Sequence, residues 1–109
     1  MHPKRGEVWW VALDPVIGSE IAKTRPCVVV TQDLVNQYRR TVVVVPLSSS
    51  PSAHPPIMVA VKYAGKAAVA VIDQVRAVSK ERLRDKMGSL SERDMGAVSA
   101  ALKEILDLA

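Results

Sequence analysis

A mainly β domain, closed into a strongly curved sheet or small barrel and finished by one helix, is the fold class this sequence predicts. Three observations predict it. Short runs of β-formers recur through residues 7–78. One amphipathic stripe follows them near the C-terminus. The length, 109 residues, suits a single domain spanning 1–109 with a core that needs no covalent staples. Strands in series followed by one helix fit such an architecture.

The elements follow in order. Residues 7–13 (EVWWVAL), 26–31 (PCVVVT) and 41–47 (TVVVVPL) read as three strands. Residues 57–61 and 68–72 read as two more, and 75–78 as a short sixth. The third run is apolar on both faces, so it needs cover on both sides. In so short a chain, a helix or a second subunit is expected to supply part of that cover. Residues 91–108 form the helix: Met95, Val98, Leu102 and Ile105 recur at three- and four-residue steps. Ser91 is placed to cap it, and Asp94 makes a weaker form of the Ser-x-x-Glu box. Two long loops interrupt the pattern, residues 14–25 and the polar, proline-rich 48–56. Long loops in compact domains tend to carry function.

Fifteen Lys and Arg against eleven Asp and Glu give a net charge of +4. The last nineteen residues hold only two of the basic and four of the acidic groups, which leaves the first ninety at +6. A polyanion would therefore meet the body of the domain and not the terminal helix. Cys27 is the only cysteine, so no internal disulfide forms, and its apolar run marks it as a core residue. No apolar segment resembles a membrane span or a secretion signal, so a cytoplasmic location is expected. His2, His54 and Cys27 have no metal-ligand spacing, and no phosphate-cradling glycine loop or dinucleotide motif occurs, so no cofactor or metal is expected. His54 lacks the context of a nucleophilic triad.

Cleavage of RNA needs less equipment, because the nucleophile is the substrate's own 2′-hydroxyl. The protein must align the attack, stabilise charge on the phosphate oxygens and manage two protons. A fixed guanidinium with hydroxyl donors suits that task. Arg25 stands at the mouth of a strand, between β-branched Thr24 and Pro26, which restricts it to extended conformations. Ser48, after Pro46-Leu47, ends another strand where its hydroxyl can reach a phosphate; as one of three consecutive serines it also reads as a turn residue.

Several blocks, in matching order, resemble the MazF/PemK toxins. They are Arg5-Gly6-Glu7-Val8-Trp9, Leu13-Asp14-Pro15, Gly18-Ser19-Glu20, and Thr24-Arg25-Pro26 with Val28-Val29-Val30. Val45-Pro46-Leu47-Ser48 and Ala70-Val71-Ile72-Asp73-Gln74-Val75-Arg76 complete the set. The resemblance implies an SH3-like β-barrel with a C-terminal helix, a homodimer, and metal-free, sequence-selective cleavage of single-stranded RNA. It also implies neutralisation by an acidic, partly disordered antitoxin. It places catalysis on Arg25 and on Ser48, where the family carries threonine. It places substrate contacts on Gly18, Ser19, Glu20, Lys23, Thr24, Ser49, Asp73 and Gln74. The general base stays open between a backbone carbonyl, a water and a loop side chain. One branch of the family uses an arginine two residues before this aspartate; here that position is Val71, so that mechanism is not expected. CcdB-like toxins, which bind DNA gyrase and are not nucleases, share the implied fold. They engage gyrase through a C-terminal Trp-Gly-Ile, whereas this chain ends Asp107-Leu108-Ala109. A passive single-strand binder would need stacking aromatics. Trp9 and Trp10 are adjacent in a strand and point to opposite faces.

Overall fold

The computed structural model describes residues 2–49 and 52–109. Seven strands, β1 (Glu7–Ala12), β2 (Thr24–Val29), β3 (Thr41–Ser48), β4 (Met58–Tyr63), β5 (Lys66–Val71), β6 (Arg76–Ser79) and β7 (Leu83–Ser89), form one antiparallel sheet. Helix α1 (Asp33–Tyr38) links β2 to β3, and α2 (Glu92–Ile105) follows β7. The sheet order is β4-β5-β3-β2-β1-β7, with β6 paired to the first half of β3. The sheet curls until its two ends approach. A Cβ added at Gly88 of β7 would lie 3.6 Å from the Ala64 nitrogen in the β4–β5 turn. The result is the expected mainly β half-barrel with a C-terminal helix.

All six expected strands are present, with bounds shifted by no more than two residues. β7 and α1 were not expected. The sequence of β7, LRDKMGS, alternates poorly and has no β-branched residue. Its pairing with β1 passes two register irregularities, and the ion pair between Lys86 Nζ and Glu7 Oε2 (2.9 Å) ties the two strands. Helix α1 is too short to show a periodic stripe. It is held by Asn36, fully buried, whose Nδ2 donates to the Thr31 carbonyl at 2.8 Å. Arg5 pins the same region: its backbone N donates to Asp33 Oδ1 (2.6 Å), and its guanidinium to the Val30 carbonyl (3.1 Å) and Ser99 Oγ.

Two apolar clusters lie on opposite faces of the curved sheet. The first gathers Val45, Leu47, Val61 and Ile72 beneath α2. Val98 and Ala101 are buried there, with Met95, Leu102 and Ile105 packed against them, so the predicted stripe faces the sheet. Burying Val98 alone contributes on the order of 1.5–3 kcal/mol. Ser91 Oγ accepts from the Asp94 amide at 3.1 Å, as the cap requires. Asp94 does not complete a capping box; its Oδ2 accepts from the Lys62 amide of β4 at 2.9 Å. The second cluster holds Trp9, Val11, Leu13, Cys27, Val29, Val42 and Val44, with Val16 and Ile21 of the first loop folded against it. Both faces of β3 are thus covered within one chain, by α2 on one side and by the curl of the sheet and its loop on the other. The apolar strand surface needs no second subunit for cover.

Candidate RNA-cleaving site

Two prolines open a cleft in the sheet. β2 and β3 pair from Val29↔Val44 to Cys27↔Pro46 and then part. Val30 donates to the Val43 carbonyl (2.9 Å), so along these strands the even residues of β2 and the odd residues of β3 turn their polar groups toward each other. The next rung would have residue 26 donate to Leu47, and Pro26 has no N–H. Pro46 turns its nitrogen to the other edge of β3, where pairing passes from β6, which ends at Val44↔Arg76, to β5, which begins at Leu47↔Ala70. Beyond these points β2 follows β1 while β3 follows β5. The diverging strands leave a cleft of about 550 Å³, walled by Glu20, Ile21, Ala22, Arg25 and Pro26 on one side and Leu47, Ser48 and Ser49 on the other. Tyr63, Lys66, Ala67 and Ala68 of the β4–β5 hairpin complete the lining.

Arg25 is exposed on the first wall, with its backbone paired to Val11 of β1. Its Nε donates to the Ala22 carbonyl at 3.2 Å. Among the described residues its other guanidinium nitrogens make no hydrogen bond, so they are available to a ligand. Ser48 is half-buried on the facing wall.

The loop that carries the first wall is built, not slack. The Leu13 amide donates to the Lys23 carbonyl (2.8 Å) and the Lys23 amide to Asp14 Oδ1 (2.9 Å), which closes its base. Lys23 takes a left-handed backbone, φ 67°, at this closure. Arg76 donates to the Leu13 carbonyl at 3.3 Å, and Arg82 to the carbonyls of Ala12 (3.1 Å) and Asp14. At the tip, Glu20 Oε1 accepts from the Ile17 amide at 2.6 Å, while Gln74 Oε1 accepts from the Ile21 amide at 3.4 Å.

Of the residues the sequence singled out, Glu20, Arg25, Ser48 and Ser49 come together in the cleft. Gly18, Ser19, Lys23 and Thr24 are exposed on the adjoining loop and strand start, outside the lining. Asp73 is exposed on the 3-10 turn Ile72–Gln74, and Gln74, half-buried, props the loop from below. Of the second long loop, Ser50 and Pro51 lie outside the described residues. Lys66 is the charged lining residue that sequence reasoning missed, and Tyr63 is a second polar one. Their signal was present: Ala64 (φ 47°) and Gly65 (φ 76°) form a two-residue turn of left-handed residues, the hairpin turn that an Ala-Gly step between two β runs can mark.

Cys27 is buried, and burial pushes its thiol up to about 12, against a small opposing pull from Arg76. That thiol is inert packing, as its run of valines predicts. Among the described residues no three His, Cys, Asp or Glu side chains gather to hold a metal ion, and no helix is long and apolar enough to cross a membrane.

Residues 4–106 match the model of the PemK-like, MazF-like toxins of type II toxin-antitoxin systems. The chain is 34% identical over 113 residues to the endoribonuclease EndoA of Bacillus subtilis (strain 168), an alignment spanning 99% of this chain and 97% of that protein. It is 36% identical over 110 residues to the endoribonuclease MazF of Staphylococcus epidermidis, spanning 96% and 92%. Among solved structures, MazF of Deinococcus radiodurans superposes with a TM-score of 0.87 at 20% identity, over 98% of each chain. An endoribonuclease in complex with its cognate antitoxin from a mycobacterial species superposes at 0.82 and 23% identity, over 98% of this chain and 97% of that one. At such identities the likeness is one of fold, and the fold is that of the MazF toxins. With a family model covering nearly its whole length and relatives above one-third identity, the chain belongs to the PemK-like, MazF-like toxins of type II toxin-antitoxin systems.

Proposed function

We propose that this protein is the toxin of a type II toxin-antitoxin pair and an endoribonuclease that cuts single-stranded RNA at the cleft between β2 and β3. The observation that carries the reading is the placement of Arg25 and Ser48 on facing walls of one cleft, with Glu20 and Lys66 in the same lining. Its curated relatives, named endoribonucleases, support the activity.

In the proposed reaction the 2′-oxygen attacks the adjacent phosphorus as the bond to the 5′-oxygen breaks. The products carry a 2′,3′-cyclic phosphate and a 5′-hydroxyl. Negative charge grows on the nonbridging oxygens, and the free edge of the Arg25 guanidinium is the group to meet it, with Ser48 donating a further hydrogen bond. The 2′-hydroxyl loses a proton and the 5′-oxygen gains one. Glu20 is the one carboxylate in the cleft lining. Its Oε1 is engaged by the Ile17 amide, and its second oxygen is the candidate acceptor for the 2′ proton. Arg25 is the group to offset the charge on the leaving oxygen and to assist its protonation, the proton coming from solvent water. The surrounding loops, residues 16–24 and 49–56, hold the bases, with Gly18, Ser19, Lys23, Thr24 and Ser49 at the rim. Asp73 and Gln74 act from beneath the loop. No step needs a metal.

The proposed partners are RNA, a second copy of the chain and an acidic antitoxin. The antitoxin reading draws on the related fold solved with its cognate antitoxin and on the +6 carried by the first ninety residues. The test is incubation of the purified protein with a long unstructured RNA in EDTA, followed by analysis of the ends. Cyclic phosphate at discrete sites is the expected result. A requirement for Mg²⁺, or cutting at a 2′-deoxy position, would overturn the mechanism.

A further inference from the structure

The cleft does not end at the β4–β5 hairpin. A second depression of about 400 Å³ shares Ser49, Ala67 and Ala68 with it and runs over the outer face of the hairpin to Lys62. A third, of about 710 Å³, takes over at Ala60 and Lys62 and ends between Ser89 and Arg93, where β7 gives way to α2. The three share walls in sequence and form one groove across the molecule. Strand alternation makes this face: Ala60 and Lys62 are exposed while Val59, Val61 and Tyr63 point into the core.

The chemistry along the groove is uniform. The exposed apolar side chains along it are small, Ala60, Ala64, Ala67 and Ala97, while Val61, Val69, Tyr63 and Leu90 line it from buried positions. Lys66, Lys62 and Arg93 follow one another along it, and among the described residues none of them makes an ion pair. Beyond the cleft, where Glu20 stands, one acid lies on the path, Asp94, and its Oδ2 is engaged by the Lys62 amide at 2.9 Å.

We infer that this groove is a track for the RNA backbone flanking the cut site, with phosphates at Lys62 and Arg93 beyond Lys66. The inference rests on the nuclease reading of the cleft and extends it. RNA fits the groove better than a protein segment does. Peptide recognition relies on pockets for anchoring side chains, and exposed alanines offer none. An extended polyanion needs only a smooth path and spaced cations.

The test compares two RNAs with the same cut site, one minimal and one extended by unstructured nucleotides, together with their uncleavable 2′-deoxy analogues. The variant is Lys62→Ala with Arg93→Ala. KM for the extended RNA should rise roughly tenfold with kcat unchanged, and the slope of log affinity against log salt should flatten by about 0.7 for each cation removed. The minimal RNA should be cut by the variant with the wild-type kcat, which also reports that the variant is folded. Equal losses on both RNAs, or no loss on either, would overturn the track. So would unchanged RNA kinetics with weakened binding of an acidic antitoxin peptide, which would give the groove to protein. A wild type that binds the extended analogue more tightly than the minimal one but cuts neither RNA keeps the track and sinks the nuclease reading. A wild type that cuts both RNAs with no gain from extension does the reverse.

Discussion

Arg25, the residue proposed to meet the phosphate, is held in place without being buried. Pro26 narrows its backbone to extended conformations, the pairing with Val11 fixes its place in the ladder, and one bond from Nε to Ala22 aims the guanidinium. Because the side chain is exposed, Arg25→Ala should leave the fold intact while cleavage falls about a hundredfold or more, as for loss of a transition-state donor. Wild-type cleavage by a folded variant removes Arg25 from the mechanism. Ser48→Thr should keep activity, since the hydroxyl is retained. Ser48→Ala should lose about tenfold, near 1.4 kcal/mol in the barrier; an undiminished rate would leave Ser48 a structural residue. Cys27 gives a negative expectation. With its thiol pushed to about 12, alkylation at neutral pH should be negligible in the folded protein and rapid only in denaturant. At this scale the motif residues were legible because they sit in distinctive local sequence. Lys66 was not, because its place in the cleft depends on a hairpin folding back from forty residues away.

Among the elements, α2 announced itself by its periodic stripe and six strands by runs of β-formers, both local properties. β7 did not, because its pairing is decided by β1 across two register shifts. The capped start of α2 is a local feature with a measurable contribution. Ser91→Ala should lower stability by about 0.5–2 kcal/mol in urea denaturation, since the Asp94 amide loses its acceptor. The tie between β1 and β7 depends on pH. Burial works to raise the Glu7 carboxyl, but hydrogen bonds from the Lys4 amide, Lys86 and Trp9 Nε1 outweigh it and hold the group below its usual value of 4.5. A depressed carboxyl favours the fold above the unfolded value, and that contribution is lost as pH falls through the folded one. Wild type should therefore lose stability below about pH 4.5 more steeply than Glu7→Gln; parallel acid curves would show that Glu7 contributes nothing to the pH dependence.

For the whole molecule, the dimer needs a different argument from the one the strands suggested, because β3 is covered within its own chain. Besides Ile17 and Ile57, exposed singly on loops, the large apolar side chains left exposed form two groups elsewhere: Leu34, Val35 and Tyr38 on α1, and Leu106 and Leu108 after α2. Arg39 and Arg40 adjoin the first group, and Glu104 and Asp107 the second. In a two-fold dimer each patch of one copy can meet the complementary patch of the other, twice over. Sedimentation should find a dimer at micromolar concentration that Leu34→Asp with Leu106→Asp converts to monomer; a wild-type monomer would remove the proposal. An acidic antitoxin segment should compete with an uncleavable RNA for the cleft, and Arg25→Glu should weaken both.

The divergence of β2 and β3 has a consequence for which RNAs are spared. Two strands that leave a common ladder form a wedge, narrow where the last rung closes and open at the rim. On the proposed function, such a wedge would admit one nucleotide splayed edge-on, with its backbone turned to Arg25 and Ser48. A base pair, tied to its partner and stacked on its neighbours, has no such approach. Selection for unpaired RNA would then need no reading of any base; on the proposed function it would follow from the missing amide hydrogen of Pro26. Folding a cut site into a stem should protect it as fully as removing its 2′-hydroxyl. In a cell, the transcripts that escape this toxin would be chosen by their structure as much as by their sequence.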